Sequence, residues 1–163
     1  MMMSPTSRTH KLIVHYIFDI LLKQTKADVW SEDTRIDVEA ITGTKEYKTY
    51  VEPDIFLGTN LKWNNETVIS TPEIVIEVLS MATAHEDRNE KLELYKKMGV
   101  KEYILVSQEQ IVIQYNLNNE DYKSAHIIDD VFTSKSIHGI KLSFNEVFKL
   151  VRDRIVLFHN DIK

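Results

Sequence analysis

The chain has no cysteine, only four glycines and three prolines in 163 residues, and no long hydrophobic run. Without cysteine, disulfides and thiolate metal sites are excluded. Any bound metal must be held by oxygen or imidazole, which favours magnesium, manganese or calcium over structural zinc. The same absence fits a reducing cytoplasm, the expected location. The longest apolar stretch, residues 12–22, is interrupted by His15 and Asp19. It falls short of the roughly 20 apolar residues a membrane-spanning helix needs. No small-residue cleavage site follows it, as a signal peptide would require. No membrane association is therefore expected. A glycine-rich phosphate loop, a Cys/His cluster and a Gly-x-Ser-x-Gly elbow are all missing. So are linkers, low-complexity tracts and internal repeats, which points to a single domain over residues 1–163. The formal charge of −5 argues against a dedicated nucleic-acid binder with a basic face. A locally basic groove can nevertheless coexist with an acidic remainder.

What is present is an ordinary globular composition, 43% hydrophobic and 28% charged, with enough chain to enclose a core. Ser7 or Thr9 can cap an opening helix in which Ile13, Ile17, Ile20 and Leu21 recur at helical spacing. Strand-like segments follow at 27–30, 35–41, 48–57 and 67–79, with turns at Thr42-Gly43 and Asn64-Asn65. Thr83 and Glu86 form a capping box for a helix over 84–98, which Gly99 stops. Strands are expected again at 102–107, 111–117 and 122–128, and Ser143 with Glu146 makes a second capping box for a final helix. This order implies an α/β or α+β protein, with one mixed sheet flanked by helices.

One residue breaks the pattern. Glu77 lies within Pro72-Glu73-Ile74-Val75-Ile76-Glu77-Val78-Leu79-Ser80, a run that otherwise reads as a buried strand. An unpaired carboxylate there costs several kcal/mol, on the order of the penalty for any buried charge. Asp54 occupies a comparable setting in Pro53-Asp54-Ile55-Phe56-Leu57, and Lys91 follows on the next helix. If the two acidic segments pair as neighbouring strands, both carboxylates approach one point. Two acids suffice for magnesium, which keeps several waters. The bland alternatives are an ion pair for Glu77, a turn role for Asp54 and a solvated helix position for Lys91 beside Asp87. Glu73 shares the Glu77 face of the strand, as a supporting acid or a solvated strand end. His10 either points at the site or is a polar group on the helix face. His15, His85, His126, His138 and His159 show no ligand spacing. Lys45, Lys48, Lys96, Lys97 and Lys101 are candidates for phosphate contacts, each of which ordinary surface charge also explains.

The run 72–80, followed by Asp87, Lys91, Leu94-Tyr95, Gly99-Val100 and Glu102-Tyr103, closely resembles the Uma-two family of restriction endonucleases. That family looks like a branch of the PD-(D/E)xK nuclease superfamily. His10 with Ile13, Ile17 and Leu21 resembles its opening helix, Pro53-Asp54 its first acidic strand, and residues 137–148 its closing segment. The resemblance implies a restriction-endonuclease-like α/β fold with a central mixed β-sheet flanked by helices. It implies Asp54 and Glu77 as ligands of Mg2+ or Mn2+ and Lys91 as the catalytic lysine. The reading of the residues themselves adds Glu73, His10 and Asp87 as supporting candidates. The implied activity is metal-dependent endonucleolytic hydrolysis of DNA. A homodimer fits an enzyme that cuts two strands with two copies of one site. The alternative is a nuclease-like fold retained as a binding or regulatory module. Two departures stand out. The superfamily's usual lysine position, two residues after the glutamate, is Leu79, so the lysine must come from the following helix. Met81 stands where the family usually has proline.

Overall fold

Proline and glutamate placement shapes the sheet. Pro53 and Pro72 cannot donate to a strand ladder, and each breaks an expected long strand in two. The expected strand over 48–57 becomes β3 (Tyr50–Val51) and β4 (Ile55–Gly58). The expected strand over 67–79 becomes β6 (Thr67–Val68) and β7 (Ile74–Val78). A computed structural model describes residues 7–80 and 87–162 of the chain, without the side chains of residues 87, 88, 123, 124 and 157–162. The capping box of Thr83 and Glu86, together with Met81 and His85, lies outside the described residues, as does the Asp87 side chain.

The chain begins with α1 (Arg8–Gln24), capped by the Ser7 hydroxyl accepting from the His10 backbone N–H at 3.1 Å. It continues through β1 (Asp28–Ser31) and β2 (Arg35–Asp37). Residues 38–41 do not extend β2 as expected. Asp37 accepts from the Ala40 N–H and Gly43 closes in the left-handed region, so a single helical turn, α2 (Val38–Thr42), forms instead. β5 (Trp63–Asn64) and β6 turn at Asn65, whose φ of 55° suits asparagine. A π-helical turn (Asp87–Lys91) leads into α3 (Leu92–Met98), which ends at Gly99 with φ 86°. Then come β8 (Glu102–Val106), β9 (Val112–Asn118), β10 (Asp121–Ile127), β11 (Val131–Thr133), β12 (Lys141–Ser143) and α4 (Phe144–Ile162). The short β11–β12 pair was not expected. The Ser143 cap on the last helix forms as expected, accepting from the Glu146 N–H at 3.2 Å.

Six strands make the central sheet, in the order β1-β4-β7-β8-β9-β10. All its pairings are antiparallel except β7 with β8. That parallel step is where the chain crosses over through the π-turn and α3. Alternation along β7 divides the core in two. Ile74, Ile76 and Val78 join Ile104 and Val106 beneath α1 and α4. Val75 joins Phe56, Tyr103 and Leu105 beneath α3 and a small sheet ordered β3-β2-β6-β5. Each such aliphatic or aromatic side chain contributes about 1.5–3 kcal/mol when fully buried. Both faces of β7 are therefore committed to packing, and Glu77 sits on the second of them. No helix among the described residues is long and apolar enough to cross a membrane.

Candidate active site

Strand register brings the acids together. β4 and β7 pair antiparallel with Ile55 opposite Ile76 and Phe56 opposite Val75. One further step in the same register sets Asp54 opposite Glu77, on the face that carries Phe56 and Val75. Asp54 Oδ2 accepts from the Val78 backbone N–H at 2.7 Å, which fixes its carboxylate where β4 begins. Glu77 is 3% exposed. Its Oε2 receives the Lys91 ammonium at 3.0 Å and its Oε1 receives the Tyr95 hydroxyl at 3.2 Å. Lys91 and Tyr95 stand four residues apart, one helical turn, so both reach the strand from the same side. Burial, with the Glu77 charge adding to it, pushes the Tyr95 phenol well above its ordinary pKa, so it remains a neutral donor.

The sequence reading missed Glu32. β1 pairs with β4 with Ser31 opposite Ile55, and the next step sets Glu32 opposite Asp54. Glu32, just past the end of β1, and Asp54, just before β4, thus line up by register with Glu77 on β7. Nothing local marks Glu32, which stands beside Asp33 in an ordinary polar turn. Only the β1–β4 register reveals it. Tyr95 is marked in the sequence only as part of the apolar side of its helix and of the resemblance, not as a site residue.

His10 closes the row from above. Its Nε2 lies 3.4 Å from Asp54 Oδ1 and 3.8 Å from Glu32 Oε1. Burial alone would lower the imidazole pKa. The hydrogen bond to Asp54, its charge and those of Glu32 and Glu77 outweigh this and raise it above the ordinary value. Glu32 is also raised, first by burial and then by the Asp54 charge. One donor atom each from His10, Glu32 and Asp54 lies within 4.8 Å of the others. Neighbouring ligands around an octahedral magnesium or manganese are about 3 Å apart, given bond lengths near 2.1 Å. This oxygen and imidazole set is therefore compatible with such an ion after small side-chain adjustments.

Glu73 does not join the group. It precedes β7, four residues from Glu77, about 13 Å along an extended chain. Its Oε2 accepts from both the backbone N–H and the hydroxyl of Thr59, at 2.9 and 2.6 Å, which ties the far end of the β4–β7 pair. Among the lysines singled out for phosphate contacts, Lys96 pairs with Glu93 and Asp121, and Lys97 with Glu46. Lys48 instead lines a cleft that Lys91 and Tyr95 also line.

Comparison with known proteins bears on the fold and the family. A crystal structure from Anabaena variabilis, described as a putative nuclease belonging to DUF820, superposes with a TM-score of 0.70. The match covers 93% of this chain and 86% of that one at 16% identity, so it speaks for the fold, restriction-endonuclease-like with a central mixed sheet. No curated protein matches the chain. The family model for Uma2, described as "Putative restriction endonuclease", matches residues 1–145, most of the chain, and the chain therefore belongs to the Uma2 family.

Proposed function

We propose that this protein is a metal-dependent endonuclease that hydrolyses phosphodiester bonds in DNA, with Asp54 and Glu77 as metal ligands and Lys91 as the catalytic lysine. The observation that carries the reading is the row of Glu32 after β1, Asp54 before β4 and Glu77 on β7, with His10 above it and the Lys91 ammonium 3.0 Å from Glu77. Bound Mg2+ or Mn2+ would polarise a phosphate oxygen and acidify an attacking water. The chain's own groups supply the rest. The Val78 N–H and His10 hold Asp54 in place. Tyr95 fixes one oxygen of Glu77 and leaves the other to Lys91. The Lys91 ammonium, at the edge of a cleft, can stabilise negative charge that grows on the reacting phosphate.

The test is cleavage of supercoiled plasmid and circular single-stranded DNA in Mg2+ or Mn2+. Cutting should stop with EDTA. Failure to cut either substrate in either metal would overturn the proposal. A second reading, a nuclease-like fold that binds without cutting, draws on the same Lys91–Glu77 contact, since an ion pair is also what a purely structural Glu77 would need. Calorimetry separates the two, because a structural pair predicts no Mg2+ or Mn2+ binding.

The raised His10 pKa sets a pH dependence with opposite signs in the two states. Without metal, the protonated imidazole faces Asp54. Its stabilising contribution is fully present below the ordinary histidine pKa of about 6.5 and is lost as pH rises through the raised value. A metal ion on Asp54 competes with the protonated imidazole beside it, so metal binding strengthens over that same rise. The increase in Tm produced by saturating Mn2+ should therefore grow from pH 5.5 to pH 8.5. An increase that stays flat across this range would show that the metal does not sit on Asp54 beside His10.

A further inference from the structure

Beside the row of acids lies an open cleft of roughly 340 Å³, lined by Arg35, Lys48, Tyr50, Glu52, Lys91 and Tyr95. Because Lys91 and Tyr95 also hold Glu77, the cleft and the catalytic carboxylate share a wall. Its lining carries three cations, Arg35, Lys48 and Lys91, of which Lys91 is paired with Glu77 behind the wall. The cations are placed differently. Arg35 is held by Glu52 at 3.2 Å and stands 5.3 Å from the centre of the Tyr50 ring. Half-buried Lys48 has no ion-pair partner among the described residues. Tyr50 is 44% exposed although it belongs to β3, and its ring is backed by the guanidinium on one side.

A positive cleft with an exposed aromatic ring braced by arginine is the combination that receives a nucleotide. The cations take the phosphate, and the ring takes the face of a base. Inside a duplex both faces of a base are covered by its neighbours, so this ring can be used only by an unpaired base. We propose that this cleft binds the nucleotide flanking the cleaved phosphodiester, with Lys48 on its phosphate and Tyr50 stacked on its base, and that the substrate is therefore a single-stranded or frayed strand. The inference rests on the nuclease reading for its position relative to cleavage, but not for the binding itself.

The probe is a fluorescein-labelled 12-nucleotide oligothymidylate, followed by anisotropy in EDTA beside a labelled 12-base-pair duplex. Wild type should bind the single strand more tightly than the duplex. Tyr50→Ala should weaken single-strand binding about tenfold, in line with the loss of one stacked base, and leave duplex binding unchanged. Tyr50→Phe keeps the ring and should bind like wild type. Lys48→Ala should weaken binding and flatten its dependence on salt, as loss of one phosphate contact does. Thermal melts confirm that each variant is folded. Unchanged single-strand binding by Tyr50→Ala, or tighter binding of the duplex by wild type, would overturn the cleft. Cleavage assays on the same proteins keep the two ideas apart. Tyr50-dependent binding without any metal-dependent cutting upholds the cleft and sinks the nuclease. Cutting with binding indifferent to Tyr50 does the opposite, and no binding of either probe removes the cleft.

Discussion

Replacing Asp54 with asparagine should lower metal-dependent DNA cleavage by at least about a thousandfold while leaving the protein folded. The size follows from removing a charged ligand at the centre of the acidic row, where a single electrostatic group typically contributes two to three orders of magnitude or more. The sparing of the fold follows from what Asp54 does structurally. It accepts a backbone hydrogen bond from Val78 at 2.7 Å and faces the His10 imidazole at 3.4 Å, and an asparagine side-chain oxygen can accept from both. The expected stability loss is within about 1–2 kcal/mol. Glu77→Gln should differ in an informative way. It also removes a ligand, but it takes the buried Glu77 charge away from the Lys91 ammonium, so inactivation comes with a clear loss of stability. The measurements are plasmid-nicking rates and urea denaturation on the same preparations. Asp54→Asn that cuts within tenfold of wild type would show that the row is not the site. Asp54→Asn that unfolds would show that its role in the turn dominates.

These two substitutions mark how far the sequence can be read. The misplaced charge at Glu77, the proline-led acid at Asp54 and the pairing of their two segments are visible because strand alternation has a period of two and apolar runs make a carboxylate conspicuous. The reach of Lys91 is visible only through a family pattern, since its side chain arrives through a π-helical turn that helical periodicity does not anticipate. Glu32 could not be seen. Its place depends on the pairing of β1 with β4, a contact between segments more than 20 residues apart, and its own surroundings are those of any surface turn. His10 stood between two readings for a related reason. Its spacing fits the helix whether or not it points at the acids, and only the docking of α1 on the sheet decides it. The α2 turn was misread as strand because Val38 and Ile41 favour a strand, while the Asp37 cap and the left-handed Gly43 that override them act at the ends.

The largest effect on stability should come from a different acid, Glu102. It begins β8 in the run Glu102-Tyr103-Ile104-Leu105-Val106, an apolar strand with a misplaced charge, the same anomaly that marks Glu77. It is 2% exposed. Its face is the other one, with Ile104 and Val106 toward α1 and α4. Among the described residues, no cationic side chain is one of its hydrogen-bond partners. Its oxygens accept from the Ser134 hydroxyl at 2.6 Å, the Ser136 hydroxyl, the Ser136 and Lys135 backbone N–H groups at 3.1 and 3.3 Å, and the Gln114 amide at 3.4 Å. The carboxylate is thus the acceptor around which the segment between β11 and β12 is organised. Glu102→Ala removes the acceptor these donors share, leaving Gln114 only Asn116 and the Ser136 N–H only the Ser134 hydroxyl, and opens a cavity at the sheet. The expected cost is about 3–5 kcal/mol, which in a chain of this length lowers Tm by about 10 °C. Glu102→Gln keeps one oxygen acceptor and should cost less than the alanine variant. Both should retain cleavage and metal affinity per folded molecule, because Glu102 faces away from the acidic row. The pair of acids then separates by measurement. Loss at Asp54 appears in catalysis with the fold intact, and loss at Glu102 appears in denaturation with catalysis intact. A Glu102→Ala protein as stable as wild type would mean that its ring of hydroxyl and amide donors finds other acceptors, and that burial alone does not identify which strand carboxylates the fold depends on.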